Sequence, residues 1–134
     1  MADEGRVVEK TWGSEEWITN TPEYCGKFLY ITPGHVCSIH RHPVKTETFH
    51  VLAGEGVIGL DQALIRVEAG NAVHIPRGTY HFFASLTGMT LLELSTHHDD
   101  DDCQRANNSH KMAWGRDDAV LVKLGLERYQ ELPT

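Results

Sequence analysis

Cysteine is scarce in this 134-residue chain: only Cys25, Cys37 and Cys103 occur. The number is odd, the spacing is wide and no C-x-x-C is present, so a disulfide framework is excluded and free, at least partly buried thiols are expected. Positive charge is also short, with 12 Lys and Arg against 19 Asp and Glu and a net charge of −7. That balance argues against nucleic acid or an anionic membrane as partner, because both select for a Lys/Arg surplus. No apolar run approaches the length of a membrane span. The opening Met1-Ala2-Asp3-Glu4-Gly5-Arg6 has no apolar signal core, so a soluble cytoplasmic protein is expected. A long helical period, internal repeats and a helix-turn-helix pattern are all missing. The length suits one domain over residues 1–134.

What is present is a series of short apolar or alternating runs at 27–32, 35–40, 47–53, 56–60, 63–67, 72–75, 81–85 and 90–95. Turn signals separate them: Thr32-Pro33-Gly34, Ala53-Gly54-Glu55-Gly56, Glu68-Ala69-Gly70-Asn71, Pro76-Arg77-Gly78 and Thr87-Gly88. Short strands at near-regular spacing predict an all-β sandwich or barrel with its core at about 27–98. Residues 1–26 read as an arm, or as short edge strands, docking Trp12, Trp17 and Tyr24 on the body. The tail, 99–134, reads as irregular. Within it, Asp117-Asp118 ahead of Ala119, Val120, Leu121 and Leu124 suggests a short N-capped helix, limited by Gly125 and Pro133.

Histidine is abundant, with nine residues. In His40-Arg41-His42 the two imidazoles are two apart, and on a strand such side chains share a face. Glu47 follows across Pro43, which suits a strand end, so the chain can turn and bring the carboxylate beside the pair. Pro76 and Gly78 force a second turn, after which His81 begins a returning strand and offers a third imidazole. Neutral imidazoles plus a carboxylate suit Mn, Fe, Ni, Co or Zn as a divalent ion.

These residues resemble the two motifs of the cupin superfamily. The first, G-x5-H-x-H-x4-E-x6-G, is matched by Gly34, His40, His42, Glu47 and Gly54. The second, G-x5-P-x-G-x2-H-x3-N, is matched by Gly70, Pro76, Gly78 and His81, with Ser85 in place of Asn. The resemblance implies a double-stranded β-helix, or jelly-roll barrel, holding one divalent metal ion per chain through His40, His42, Glu47 and His81. Over about residues 12–105 the chain is also similar to sugar-isomerase-type cupins, of the mannose-6-phosphate isomerase and lyxose isomerase kind. The residues that carry this likeness include Trp12-Gly13, Tyr24-Cys25-Gly26-Lys27, the run from Ser38 to Glu55, and Glu93-Leu94-Ser95-Thr96-His97-His98. It implies a metal-dependent aldose–ketose isomerase that works through an enediol on a sugar or sugar phosphate. Small cupins commonly dimerise, so a homodimer with residues before Lys27 in its interface is expected.

Two carboxylates are candidates for the base. A ligand carboxylate is a poor base, because the cation lowers its proton affinity. The preferred base is therefore Glu93, on a strand face shared with Leu91 and Ser95, and Glu47 serves only if it stays off the metal. If Glu47 faces inward, so do Phe49 and Val51. Lys45, between ligands, is a candidate for stabilising oxyanion charge or holding a phosphate, and Tyr80 and Phe49 for contacting substrate. His50, like Tyr80, is a candidate for positioning hydroxyls or for packing, and His74 reads as a structural neighbour of the turn. Cys37 has the wrong parity for a ligand, and the acidic stretch 97–102 reads as solvated rather than as a second metal site. Two other readings share the ligand set: a metal-dependent dioxygenase or decarboxylase, and a non-catalytic sugar-binding cupin.

Overall fold

The computed structural model describes residues 4–126. Twelve strands and one short helix occur among them: β1 (Arg6–Lys10), β2 (Gly13–Asn20), β3 (Cys25–Ile31), β4 (His35–Val36), β5 (His40–Arg41), β6 (Glu47–Leu60), β7 (Ala63–Glu68), β8 (Ala72–Ile75), β9 (His81–Ser85), β10 (Met89–Ser95), β11 (Gln104–Arg105), β12 (His110–Lys111) and α1 (Asp118–Lys123). The strands run in the order β1-β2-β3-β10-β6-β9-β4-β12, with β7 and β8 also on β6 and β5 between β9 and β11. Neighbours pair antiparallel, as a jelly roll requires.

One strand belongs to both halves of the barrel. The first part of β6 pairs with β10 and β8, and the second part with β7 and β9. The sequence suggests a turn at 53–56, but the chain passes straight through. Gly54 sits at φ 79°, and a Cβ there would stand 2.3 Å from the Gly88 carbonyl oxygen. The register opposite slips between Thr90 and Leu91. The glycine therefore makes a bulge that bends one long strand from one sheet into the other, which is how barrel corners are turned. The 35–40 run departs in the opposite sense, breaking into β4 and β5 around residues 37–39.

Inside lies a cluster that includes Trp12, Phe49, Val51, Ile58, Phe83 and Leu91, with the Trp12 and Phe83 rings edge to face at 4.8 Å. Burying each such side chain contributes roughly 1.5–3 kcal/mol. The segment before Lys27 adds β1 and β2 to the same sheet, with β1 at its edge. Trp12 and Trp17 point inward, and Tyr24 is exposed. A second cluster seats α1, whose Val120 and Leu121 pack with Val57, Ala84 and Met112. Asp117 does precede the helix, but its carboxylate accepts from Ala113 N and faces His110 rather than capping the first turn. The helix ends at Gly125 (φ 80°), where Gly125 N donates to Val122 O and Leu126 N to Leu121 O, a Schellman stop. Pro133 lies outside the described residues. Among the described residues no helix is long and apolar enough to cross a membrane.

Candidate metal centre

His40 on β5 and His81 at the start of β9 are direct cross-strand partners. Opposed residues in an antiparallel pair project to the same side, so the two rings meet, with centroids 4.4 Å apart. His42 lies one residue past β5, its ring 5.1 Å from that of His40 and 5.5 Å from that of His81. Each ring is held by its Nδ1. That of His40 is 2.6 Å from Ser38 O, that of His42 2.7 Å from Asp102 O, and that of His81 2.9 Å from Thr79 O. A carbonyl only accepts, so all three Nδ1 atoms carry the proton and all three Nε2 atoms present a lone pair. One ligand atom from each histidine lies within 4.8 Å of the others.

Burial and nearby positive charge keep the His40 and His42 rings neutral, as metal ligation requires. Burial first, and then the neighbouring His81, push the His40 pKa down to about 3. Burial and the Lys45 ammonium lower that of His42. Glu47, 3% exposed, brings Oε1 to 2.9 Å from His81 Nε2 and 3.8 Å from His42 Nε2. Burial alone would raise its pKa, but His81 and Lys45 hold it well below the usual carboxylate range. Glu47 Oε1 and His81 Nε2 are buried and face each other at 2.9 Å with no other hydrogen-bond partner among the described residues, while Glu47 Oε2 faces the Lys45 ammonium. Such orphaned acceptors, converging with two more imidazoles, fit a cation: three nitrogens and one anionic oxygen match a divalent ion of the Mn–Zn series.

Beside this group is a buried charge network. Lys45 Nζ lies 3.1 Å from Glu47 Oε2, 3.1 Å from Glu93 Oε2 and 3.1 Å from His98 Nδ1. Burial alone would lower the ammonium pKa, yet Glu93 and Glu47 raise it above the ordinary value. All three of its protons thus face acceptors within the protein, which leaves none for a substrate phosphate. Glu93 is 5% exposed and shares its inward face with Leu91, as Glu47 does with Phe49 and Val51. Ser95 Oγ also donates to Glu93 Oε2, at 3.2 Å.

His40, His42, Lys45, Glu47, Phe49 and Glu93 all line one cavity of about 360 Å³. Tyr80 does not. It is 38% exposed, with the Arg41 guanidinium over its ring at 4.9 Å, because its neighbour His81 takes the inward position. His74 faces Thr48 across the outer surface, on the side that His50 shares. Cys37 also reaches the cavity wall, since the break between β4 and β5 cancels the strand parity. Its thiol accepts from Phe83 N, and burial pushes its pKa up to about 12. Ser85 bridges Glu55 O and Gly88 N.

The acidic stretch 97–102 is more structural than its composition suggests. Asp102 accepts from Val44 N and Lys45 N through its carboxylate and from His42 Nδ1 through its carbonyl, so it clamps the loop between His42 and Glu47. His98 rests against Trp17, and its Nε2 is 2.8 Å from Asp100. Lys27, 1% exposed, lies over the Trp17 ring and 3.4 Å from Glu15. No spacing rule marks these residues, because the sheet brings them in from distant segments.

The family model for the cupin domain matches residues 27–95. The chain belongs to the cupin domain family. Mannose-1-phosphate guanylyltransferase of Sinorhizobium fredii is 22% identical to this cupin over 85 residues, which are 63% of the chain and 16% of that relative. This cupin thus spans only a small part of that protein. Among solved structures, KdgF from Halomonas sp. aligns with TM-score 0.62 and 21% identity, over 66% of this chain and 81% of that one. Pac13 of Streptomyces, a nucleoside dehydratase, aligns with TM-score 0.66 and 16% identity, over 81% and 89%. These structural likenesses show the fold.

Proposed function

We propose that this cupin is a metal-dependent sugar isomerase that interconverts an aldose and a ketose through an enediol. The observation that carries the reading is a second carboxylate, Glu93, held in the cavity beside the three histidines and Glu47 by a shared lysine. The name of the guanylyltransferase relative, a sugar-phosphate enzyme, supports the substrate class. His40, His42, His81 and Glu47 would hold the ion, one of Mn, Zn, Fe, Ni or Co. When bound, it supplies Lewis-acid polarisation of the sugar carbonyl and the adjacent hydroxyl.

The chain's own groups move the proton. Among the described residues Glu93 accepts through Oε2, from Lys45 and Ser95, which leaves Oε1 to take the C2 proton and return it at C1. Lys45 fixes the carboxylate's orientation and, by sharing its charge with Glu47, keeps two largely buried anions side by side in the cavity wall. Trp12, Phe49 and Phe83 give the cavity wall an apolar side.

In D2O, the metal-loaded protein should give product with solvent deuterium at the carbon that receives the proton. Glu93→Gln should keep the metal and the fold and lose on the order of 10²–10⁴ in turnover. Product without deuterium would point to a hydride shift, and near-wild-type turnover of the variant would reject Glu93 as base. The three free thiols accord with a cytoplasmic setting. A homodimer through the segment before Lys27 completes the reading, with Val7, Ile18 and Tyr24 as its exposed apolar residues.

A further inference from the structure

The buried cations of the cavity wall are paired within it, and Lys10, also in the lining, is exposed. Lys45 is shared by Glu47 and Glu93, and Lys27 faces Glu15. Arg105 differs: among the described residues its guanidinium has no carboxylate partner, and its one hydrogen bond runs from Nη1 to Ser38 Oγ at 2.6 Å. The position is not accidental. Arg105 on β11 is the direct cross-strand partner of His40 on β5, so its side chain projects to the same side as a proposed ligand. Both residues meet at Ser38, whose carbonyl takes His40 Nδ1 and whose hydroxyl takes Arg105.

The segment that follows is pinned to the same wall. Ala106 N donates to Ile39 O, Ile39 N to Asn107 Oδ1, and Ser38 N to Ser109 Oγ. Arg105, Asn108 and Ser109 all line the cavity. A guanidinium carries five N–H donors, and among the described residues Arg105, which is exposed, uses one, so its remaining donors suit an anionic oxygen group at the cavity wall.

We propose that Arg105 is a specificity residue: the substrate carries an anionic oxygen group, a carboxylate or a phosphate, which Arg105 binds while the sugar's hydroxyls face the histidine cluster. The idea deepens the isomerase reading and rests on it for the sugar, but its test does not depend on turnover. Binding of D-glucose, D-galacturonate and D-glucose 6-phosphate to the metal-loaded protein is measured by calorimetry, in wild type, Arg105→Gln and Arg105→Lys. One anionic sugar should bind roughly ten- to a hundredfold more tightly than glucose, an advantage that Arg105→Gln removes and Arg105→Lys keeps in part. Preference for galacturonate assigns the group as carboxylate, and preference for the sugar phosphate assigns it as phosphate. Metal content equal to wild type shows that each variant's site is intact. The proposal is overturned if neither anionic sugar binds better than glucose, or if Arg105→Gln keeps the preference. An Arg105-dependent preference without isomerisation of any bound sugar would reject the isomerase reading alone.

Discussion

Replacing Lys45 with Met keeps the length of the side chain and removes the one cation that holds two buried carboxylates together. Glu47 and Glu93 have side-chain exposures of 1% and 6%, and each has an oxygen 3.1 Å from the ammonium. Removing one partner of a buried ion pair costs about 3–5 kcal/mol, because the other charge is left without compensation. For a chain of this size that is a fall of roughly 10–20 °C in Tm. The Lys45 pKa is raised above its ordinary 10.5, so its stabilisation is fully present below pH 10.5 and is lost only as pH climbs through the higher folded value. An experiment at pH 7.5 therefore sees all of it. Urea unfolding of metal-free wild type, Lys45→Met, and Lys45→Met with Glu93→Gln, followed by circular dichroism, measures the effect. The single variant should lose several kcal/mol, and the double variant should regain part of it, since one of the stranded charges is gone. The deficit should also shrink at lower pH, where a stranded carboxylate takes up a proton. A loss in Lys45→Met below about 1 kcal/mol, or a deficit independent of pH, would show that this cation does not hold the carboxylates.

The remaining expectations are simpler. Elemental analysis should find about one divalent ion per wild-type chain and none in His40→Ala with His42→Ala, and stoichiometric metal in that double variant would remove the proposed centre. Because His40 falls from an ordinary 6.5 to about 3, the metal-free protein should hold this part of its stability above pH 6.5 and lose it as pH falls toward 3. The slope is at most about 1.4 kcal/mol per pH unit for this one proton, and a urea midpoint that stays level from pH 6.5 to 4.5 would contradict it. Light scattering should report a homodimer, and a monomer at high protein concentration would reject the edge-strand interface.

Much of this was legible because strands obey a period of two. Alternation alone orients Glu47, Phe49 and Val51 inward together, and Leu91 with Glu93. The histidine spacing and the Pro76–Gly78 turn already point to the three-histidine group. Reading failed where backbone conformation, not composition, decides. Gly54 resembles a turn residue, yet it serves as a bulge because both flanks already have partners on two sheets. Cys37 follows no strand parity because the chain breaks there. Asp102, His98 and Arg105 lie in a polar tail with no periodic signal, and only sheet pairing and long-range hydrogen bonds bring them to the site. Tyr80 had the right position in the chain and the wrong side of it.

The double membership of β6 has a kinetic consequence. His40, Glu47 and His81 come from β5, β6 and β9, and they converge only when one strand has found partners in both sheets. Such non-local pairings form slowly, since the entropy of closing the intervening chain is lost before the contacts reward it. An ion that needs all of these ligands therefore has no assembled site in the unfolded chain. It would select the folded state, and each tenfold rise in free ion above its Kd would add about 1.4 kcal/mol to the stability of the barrel.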